Sequence, residues 1–438
     1  MKRINHLLAN SRLFFIIWCM LAAFGTYFCM YAFRKPFTSG TYTDLTLFEL
    51  DYKAILIISQ VLGYMLSKMV GIKVISELKA TGRKKLIICL ILFAEAALLL
   101  FGAVPQPYNF FFMFLNGLPL GMVWGIVFSY LEGRRFTEML AMGLSVSLII
   151  SSGLLKTTYF TIHEWLPFVS EFWMPAVIGL LFLPFFFTFV WMLSVIPEPS
   201  KADKLLKAER LPMTPKDKRI VIAEYGFAIF GLGLIYMMLT TMRDFRDNFS
   251  VEIWNEIDSH WDKGVLSLTE SISGIIVLVS IGSLSLIRNN IRGFWATLYL
   301  IALGLILSGG STLLFQLNLL SPFWWMLLIG MGMFLAYTPI QVVIFDRMIA
   351  LFKVKGNAGF FVYICDSAGY LGSVFLLLYK EFFMRDLSWC KVLIRFSYIL
   401  TVTCLIILVL VSVFFTRKIG VKRPIAGILN KIPLSTGK

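Results

Sequence analysis

The 438-residue sequence predicts an all-α polytopic membrane protein, and three observations carry that prediction. Hydrophobic residues make up 58% of the chain and charged residues 15%, against roughly 45–50% and 25% in ordinary soluble domains. Apolar runs of about 20 residues recur along the chain, each long enough to cross a ~30 Å hydrocarbon core. The runs are continuous rather than alternating, which fits helices and not the strands of a closed barrel. With a mean hydropathy of +0.81, a soluble fold would have to expose large apolar patches. Soluble readings are therefore excluded.

Hydropathy sets twelve spans, at 13–35, 53–76, 84–104, 108–131, 137–161 and 172–196, then 220–245, 264–287, 292–315, 321–346, 357–380 and 391–416. Met-Lys-Arg before the first apolar run imitates a secretory signal. That run is too long, and no small-x-small cleavage site follows, so it is read as a retained first span. Residues 197–219, PEPSKADKLLKAERLPMTPKDKR, are the one long polar, Pro-containing stretch. They divide the chain into a six-helix half (1–196), a cytoplasmic linker, a second half (220–416) and a basic tail (417–438). Two halves around a midplane site is the outline of many transporters.

The net charge of +15 is distributed as membrane topology requires. With an even number of spans both termini share a side. That side holds 28 of the 40 Lys and Arg residues, the opposite side holds 9, and Lys68, Lys156 and Arg395 lie inside spans. The asymmetry predicts cytoplasmic termini in a plasma (bacterial inner) membrane, and it removes nucleic acid as a partner. Six cysteines lie in or beside apolar spans without C-x-x-C spacing, which reads as reduced packing residues. No His/Asp/Glu cluster has metal spacing, and neither G-x-S-x-G nor a nucleotide loop occurs. The sequence thus predicts no enzyme, catalytic residue, metal or cofactor, and partners limited to the bilayer and a small solute.

Ionisable groups at bilayer depth are costly unless paired or hydrated, so each needs a reason. Span 1 ends YAFRKPF, with Arg34 and Lys35, and its counterpart span 7 ends TTMRDFRDNF, with Arg243 and Arg246. Arginines at matching places in two halves suit a clamp on a small oxyanion, because a guanidinium presents planar forked donors. The other reading is that they cap the spans and snorkel into headgroups. Lys68 sits mid-span, and Lys156, Glu95, Glu270 and Asp366 also interrupt apolar runs. Either they neutralise one another between helices or they serve binding and proton relay.

At these residues the sequence resembles the organophosphate:phosphate antiporters of the major facilitator superfamily (MFS). Tyr31-Ala-Phe-Arg34-Lys35-Pro-Phe37 matches that family's Y-x-x-R-K-x-F run, and Tyr64 to Gly71, around Ser67-Lys68, is similar to its Y-G-x-S-K-x-x-x-G stretch. Gly121-Met-Val-Trp124, Tyr337-Thr-Pro339, Gly369-Tyr-Leu-Gly372 and Arg243 with Asp247 follow in the family's order. The resemblance implies an MFS fold of two six-helix halves with alternating access. It also implies Arg34 and Arg243 (or Arg246) on a phosphoryl group, Lys68 close by, and Lys35, Tyr31, Trp124 and Tyr337 as neighbours. In that fold span 2 meets span 11 and span 5 meets span 8, so the pairs Lys68–Asp366 and Lys156–Glu270 are expected.

Two departures stand out. Leu148 takes the register of the family's substrate-site histidine, and the loop 2–3 motif is altered. Gly71 begins that motif, Glu77 takes the place of its aspartate, and Arg83 follows in a late basic run, as a gating loop or as topology alone. The whole predicts a monomeric MFS secondary transporter exchanging a small organic anion, a phosphate ester, for phosphate. Proton-coupled symport of another anion, or a non-transporting receptor of the same fold, are the alternatives.

Overall fold

The computed structural model describes residues 2–76, 78, 80–131, 137–198, 215–287, 289–352, 358–384 and 386–429. Long helices stand at all twelve expected places. The first half holds α1 (Arg12–Ala32), α2 (Tyr52–Ser76), α3 (Arg83–Ala103), α4 (Phe110–Leu131), α5 (Thr137–Trp165) and α6 (Met174–Ser194). The second holds α7 (Pro215–Asn248), α8 (Val265–Ser285), α9 (Asn290–Gln316), α10 (Pro322–Pro339), α11 (Ala358–Phe383) and α12 (Trp389–Leu429). Ten of these are long and apolar enough to cross a membrane. The other two, α5 and α11, are of crossing length and carry Lys156 and Asp366.

Local chemistry explains the ends. Ser11 caps α1 by accepting the Phe14 N–H at 3.3 Å, and Asn289 caps α9 by accepting from Ile291 and Arg292 at 2.9 and 3.1 Å, satisfying N–H groups that have no partner in the helix. Pro339, which lacks an N–H, closes α10. The chain then widens into a π segment, Ile340–Ile344, before continuing as Phe345–Phe352. Helix α7 starts inside the expected linker, at Pro215, and α12 runs past the expected span end to Leu429. Both extensions carry clustered basic residues that end an apolar run but still propagate an existing helix.

The packing repeats with a shift of six. In the first half α1 packs on α5 and α6, and α4 packs on α2 and α3; in the second α7 packs on α11 and α12, and α10 on α8 and α9. Across the halves α2 meets α11 and α5 meets α8, the two contacts that a pseudo-twofold axis would exchange. The α2–α4 seam is tight because Gly63 and Gly117 allow backbone contact. A Cβ on Gly63 would lie 2.2 Å from the Phe114 carbonyl oxygen, and one on Gly117 2.2 Å from that of Gln60. Small residues at such crossings let helices approach where lipid gives no hydrophobic drive. Outward-facing Val279, Phe375 and Ile222 are exposed apolar side chains, as expected of a surface solvated by lipid.

Candidate functional site

The end of α1 with the turn after it, the middle of α5, the end of α7, the first turns of α8 and Phe334 of α10 border a small central cavity with about 20 Å³ of free space, room for about one water. Its lining includes Tyr31, Arg34, Lys35, Arg243, Arg246 and Glu270. All six stand among the residues singled out in the sequence. Pro36, opening the 3₁₀ turn Pro36–Ser39, prevents α1 from continuing, so Arg34 and Lys35 fall in the turn just past its last residue, Ala32. On α7, Arg243, Asp244, Arg246 and Asp247 occupy neighbouring faces at helical spacing.

Four basic side chains (Arg34, Lys35, Arg243, Arg246) and three acidic ones (Asp244, Asp247, Glu270) line the cavity. The acids are each taken. Asp244 Oδ1 accepts from Arg243 Nη2 at 2.9 Å and Nε at 3.1 Å, and its Oδ2 accepts from Ser373 on α11 at 3.0 Å. Glu270 pairs with Arg246 at 2.6 Å, and Arg246 also donates to the Met326 carbonyl at 2.9 Å. Asp247 is a hub. It pairs with Lys35 at 2.5 Å and Lys156 at 2.8 Å and accepts from Ser152 at 2.5 Å. Lys35 also donates to Asn248, and Lys156 to Ser250, each at 2.8 Å.

Arg34 differs from the rest. It is 5% exposed and has no carboxylate partner among the described residues. Its guanidinium instead lies 3.9 Å from the centre of the Tyr64 ring and 5.7 Å from that of Tyr31, a cation–π arrangement. Among the described residues Arg34 Nε, Arg243 Nη1 and Arg246 Nε are buried donors without a partner, and a buried donor left unmade is costly. The cavity therefore holds surplus positive charge and unfilled donor capacity.

Behind the cavity a polar chain crosses between the halves. Lys68 on α2 forms an ion pair with Asp366 on α11, as expected. Asp366 accepts from Tyr236, whose hydroxyl meets that of Tyr337 at 2.7 Å. The Tyr337 ring in turn lies 4.7 Å beneath Arg243. Lys68 is also 5.1 Å from the centre of the Tyr370 ring.

The expected pair Lys156–Glu270 does not form. Helices α5 and α8 do meet there, but Glu270 packs its chain on Gly153 and turns its carboxylate to Arg246. Lys156, nearly one turn further along, meets Asp247 instead. Trp124 is not among the cavity-lining residues; half-buried on α4, it stacks on Phe128 with ring centres 5.0 Å apart. Gly71 faces Met122, and Arg83 at the start of α3 lies 5.5 Å from the Tyr130 ring centre. Glu77 lies outside the described residues. Leu148 lines the cavity, so the histidine register of the resembled family is an apolar wall here.

Sequence reasoning names Tyr31 and Tyr337 but misses the tyrosines around them and the Asp247 hub. Tyr236 was not flagged, nor was the partner role of Tyr64 and Tyr370. Their i, i+4 spacing to charged residues, Tyr64 to Lys68 and Asp366 to Tyr370, was a readable signal. Among the described residues the ion pairs joining the halves are Lys35–Asp247, Lys156–Asp247, Lys53–Glu252 and Lys68–Asp366. Three of the four lie toward the end of the bundle opposite the end of α6 and the start of α7, and the halves are drawn together there.

A family described as "Family of unknown function (DUF5690)" matches residues 36–418. No curated protein matches the sequence. Among solved structures, a peptide transporter POT in complex with alafosfalin aligns with a TM-score of 0.60 at 15% identity, over 91% of this chain and 94% of its own. The nucleoside transporter NupG aligns at 0.58 and 13% identity, over 91% and 99%. A POT family transporter in complex with 5-aminolevulinic acid aligns at 0.57 and 14%, over 91% and 96%. At such identities the shared property is the fold, that of MFS-type transporters in a multi-pass membrane protein.

Proposed function

This chain belongs to the DUF5690 family, whose function is unknown, and we propose that it is a secondary active transporter of a small organic anion, bound between Arg34 and Arg243. The observation that carries the reading is Arg34, buried without a described acidic partner at a cavity whose other basic groups are each matched. Burying an unpaired charge is unfavourable. An anion entering the cavity supplies the missing partner and fills the unpaired donors on Arg34 and Arg243. Arg243 is favoured over Arg246 as the second anchor because Arg246 is already committed to Glu270 and the Met326 carbonyl.

The cavity is too small for an organic solute, since ligand sites commonly measure several hundred Å³. Binding thus belongs to a conformation in which the two halves have rocked apart around it. An empty, positively charged cavity resists closure, whereas a neutralised one closes, and this difference supports exchange over net leak. The phosphate-ester substrate exchanged for inorganic phosphate rests on the YAFRKPF resemblance and on forked guanidinium donors suited to phosphoryl oxygens. Lys35 and Tyr31 border the anion, Lys68–Asp366 and Lys156–Asp247 are charge pairs between halves, and Gly71, Glu77 and Arg83 form the opposite gate. The protein works as a monomer in the plasma membrane, and its termini are cytoplasmic, an orientation supported by 28 basic residues on one side against 9.

A proton-coupled variant has its own support in Asp366, a mid-bundle carboxylate held by Lys68 and Tyr236. Purified protein in phosphate-loaded proteoliposomes tests the main reading. Wild type is expected to take up external radiolabelled phosphate by counterflow, and Arg34→Ala and Arg243→Ala are expected to lose it. Normal counterflow in both variants rejects the anion clamp while leaving the fold intact.

A further inference from the structure

A buried acid lies outside the chemistry described so far. Glu95, on α3, is 4% exposed, and neither carboxyl oxygen has a hydrogen-bond partner among the described residues. It packs within the first half, where α3 meets α4 and α6. Gly179 on α6 makes the space: a Cβ there would lie 2.0 Å from Glu95 Oε2 and 3.1 Å from the Phe33 ring.

The charges around it are few. Helices α4 and α6 contain no Asp, Glu, Lys, Arg or His. On α3 itself Arg83, Lys84 and Lys85 stand at the far start, Cys89 is exposed, and Tyr130 of α4 sits beside Arg83. Across Phe33, α1 offers Tyr27, Cys29 and Tyr31, and then Arg34, whose guanidinium is turned to Tyr64. An ionised carboxylate without donor or counter-ion is strongly disfavoured in such surroundings, so this conformation holds the acid form.

The same spot is wired to the anion site. Asn116 donates to the carbonyls of Ala94, next to Glu95, and of Phe33, at 3.1 and 3.0 Å. Gln60 donates to the Asn116 side-chain oxygen at 2.8 Å and to the Arg34 carbonyl at 3.0 Å. We propose that Glu95 is a proton-binding site, separate from the central cavity, whose occupancy holds the turn that carries Arg34. Losing the proton requires water or a donor to reach the carboxylate, and the Phe33 ring stands beside it at Gly179. Deprotonation therefore favours a conformation in which the end of α1 has moved. The sign follows: the proton-bound form stabilises this conformation, and the stabilisation is lost as rising pH removes the proton.

Hydrogen exchange on the full-length protein in nanodiscs tests this without any transport assay. After correction for the intrinsic rate, peptides covering residues 28–40 in wild type should lose protection by about fivefold or more between about pH 6 and about pH 9. In Glu95→Gln, fixed in the neutral form, the profile should stay flat. Identical profiles in the two proteins overturn the proposal. Dicyclohexylcarbodiimide, which modifies protonated carboxyls in apolar surroundings, supplies a second readout on wild type alone. An adduct mapped to Glu95 that fades at alkaline pH is expected, and an unmodified Glu95 at neutral pH overturns the proposal even where Glu95→Gln fails to fold.

Discussion

Neutralising Asp366 tests whether the chain that crosses the bundle is an energetic unit. Lys68 and Asp366 are both 7% exposed and form an ion pair, with Tyr236 donating to the other carboxylate oxygen. Two unit charges about 4 Å apart attract by ~4 kcal/mol at an effective dielectric near 20. Desolvation offsets much of that, so removing the pair as a whole should cost little. Removing one member leaves its partner buried alone, which costs about 3–5 kcal/mol. Asp366→Leu and Lys68→Met should each destabilise by about that amount, while the double variant should lie within about 2 kcal/mol of wild type. Denaturant unfolding in mixed micelles, followed by tryptophan fluorescence, gives the three differences. The charge swap Lys68→Asp with Asp366→Lys should recover at least half the single-variant loss. Additive single effects, with a double variant as weak as their sum, refute the pairing argument.

Arg34→Lys keeps the charge but not the fork; losing one charge-assisted bond of about 1.5–3 kcal/mol should raise the half-saturating phosphate for counterflow by about 10–100-fold, and an unchanged value argues against bidentate binding. Gly117→Ala drives a methyl group into the Gln60 carbonyl, 2.2 Å away, and should destabilise by at least about 1–3 kcal/mol in the same unfolding assay. Asp247→Asn removes the only acid between Lys35 and Lys156 described in their contacts, so alkylation of a Ser152→Cys reporter should accelerate by about tenfold as that end opens. Asp51, preceding α2, has its carboxyl raised above the usual range by burial, against the N–H groups of Ala54 and Lys53. An acid so raised binds its proton more tightly when folded, so stability should rise as pH falls from that value toward about 4. Asp51→Asn should flatten that slope, measured as melting temperature against pH.

The twelve helices were legible because lipid imposes a one-dimensional rule: each crossing needs an apolar run of set length. Hydropathy carries no azimuth, however, and the site is a matter of azimuth and depth. Lys68 and Asp366 met as expected because α2 and α11 present them at the same level. Lys156 and Glu270 did not, although α5 and α8 touch, because Lys156 lies nearly one turn past the contact and Arg246 reaches Glu270 from α7. Asp247 enters the sequence reading only as part of a motif, and its role as partner to two lysines depends on the ends of α1 and α7 converging on the flank of α5. The start of α7 and the end of α12 escaped for the opposite reason, being helical where clustered basic residues break the apolar run.

The seam at Gly63 and Gly117 bears on how any movement is shared out. Backbones in contact leave no side chains between them to re-pack, so α2 and α4 can neither slide nor roll against each other. They behave as a single plank. That plank carries Lys68 on one edge, pressed to α11, and holds Asn116 on the other, under the carbonyls of Phe33 and Ala94. Whatever lifts its outer edge from the opposite half also tugs the end of α1. The grip on Arg34 and the seal between the halves are in this way set by one stiff part, and each reports on the other.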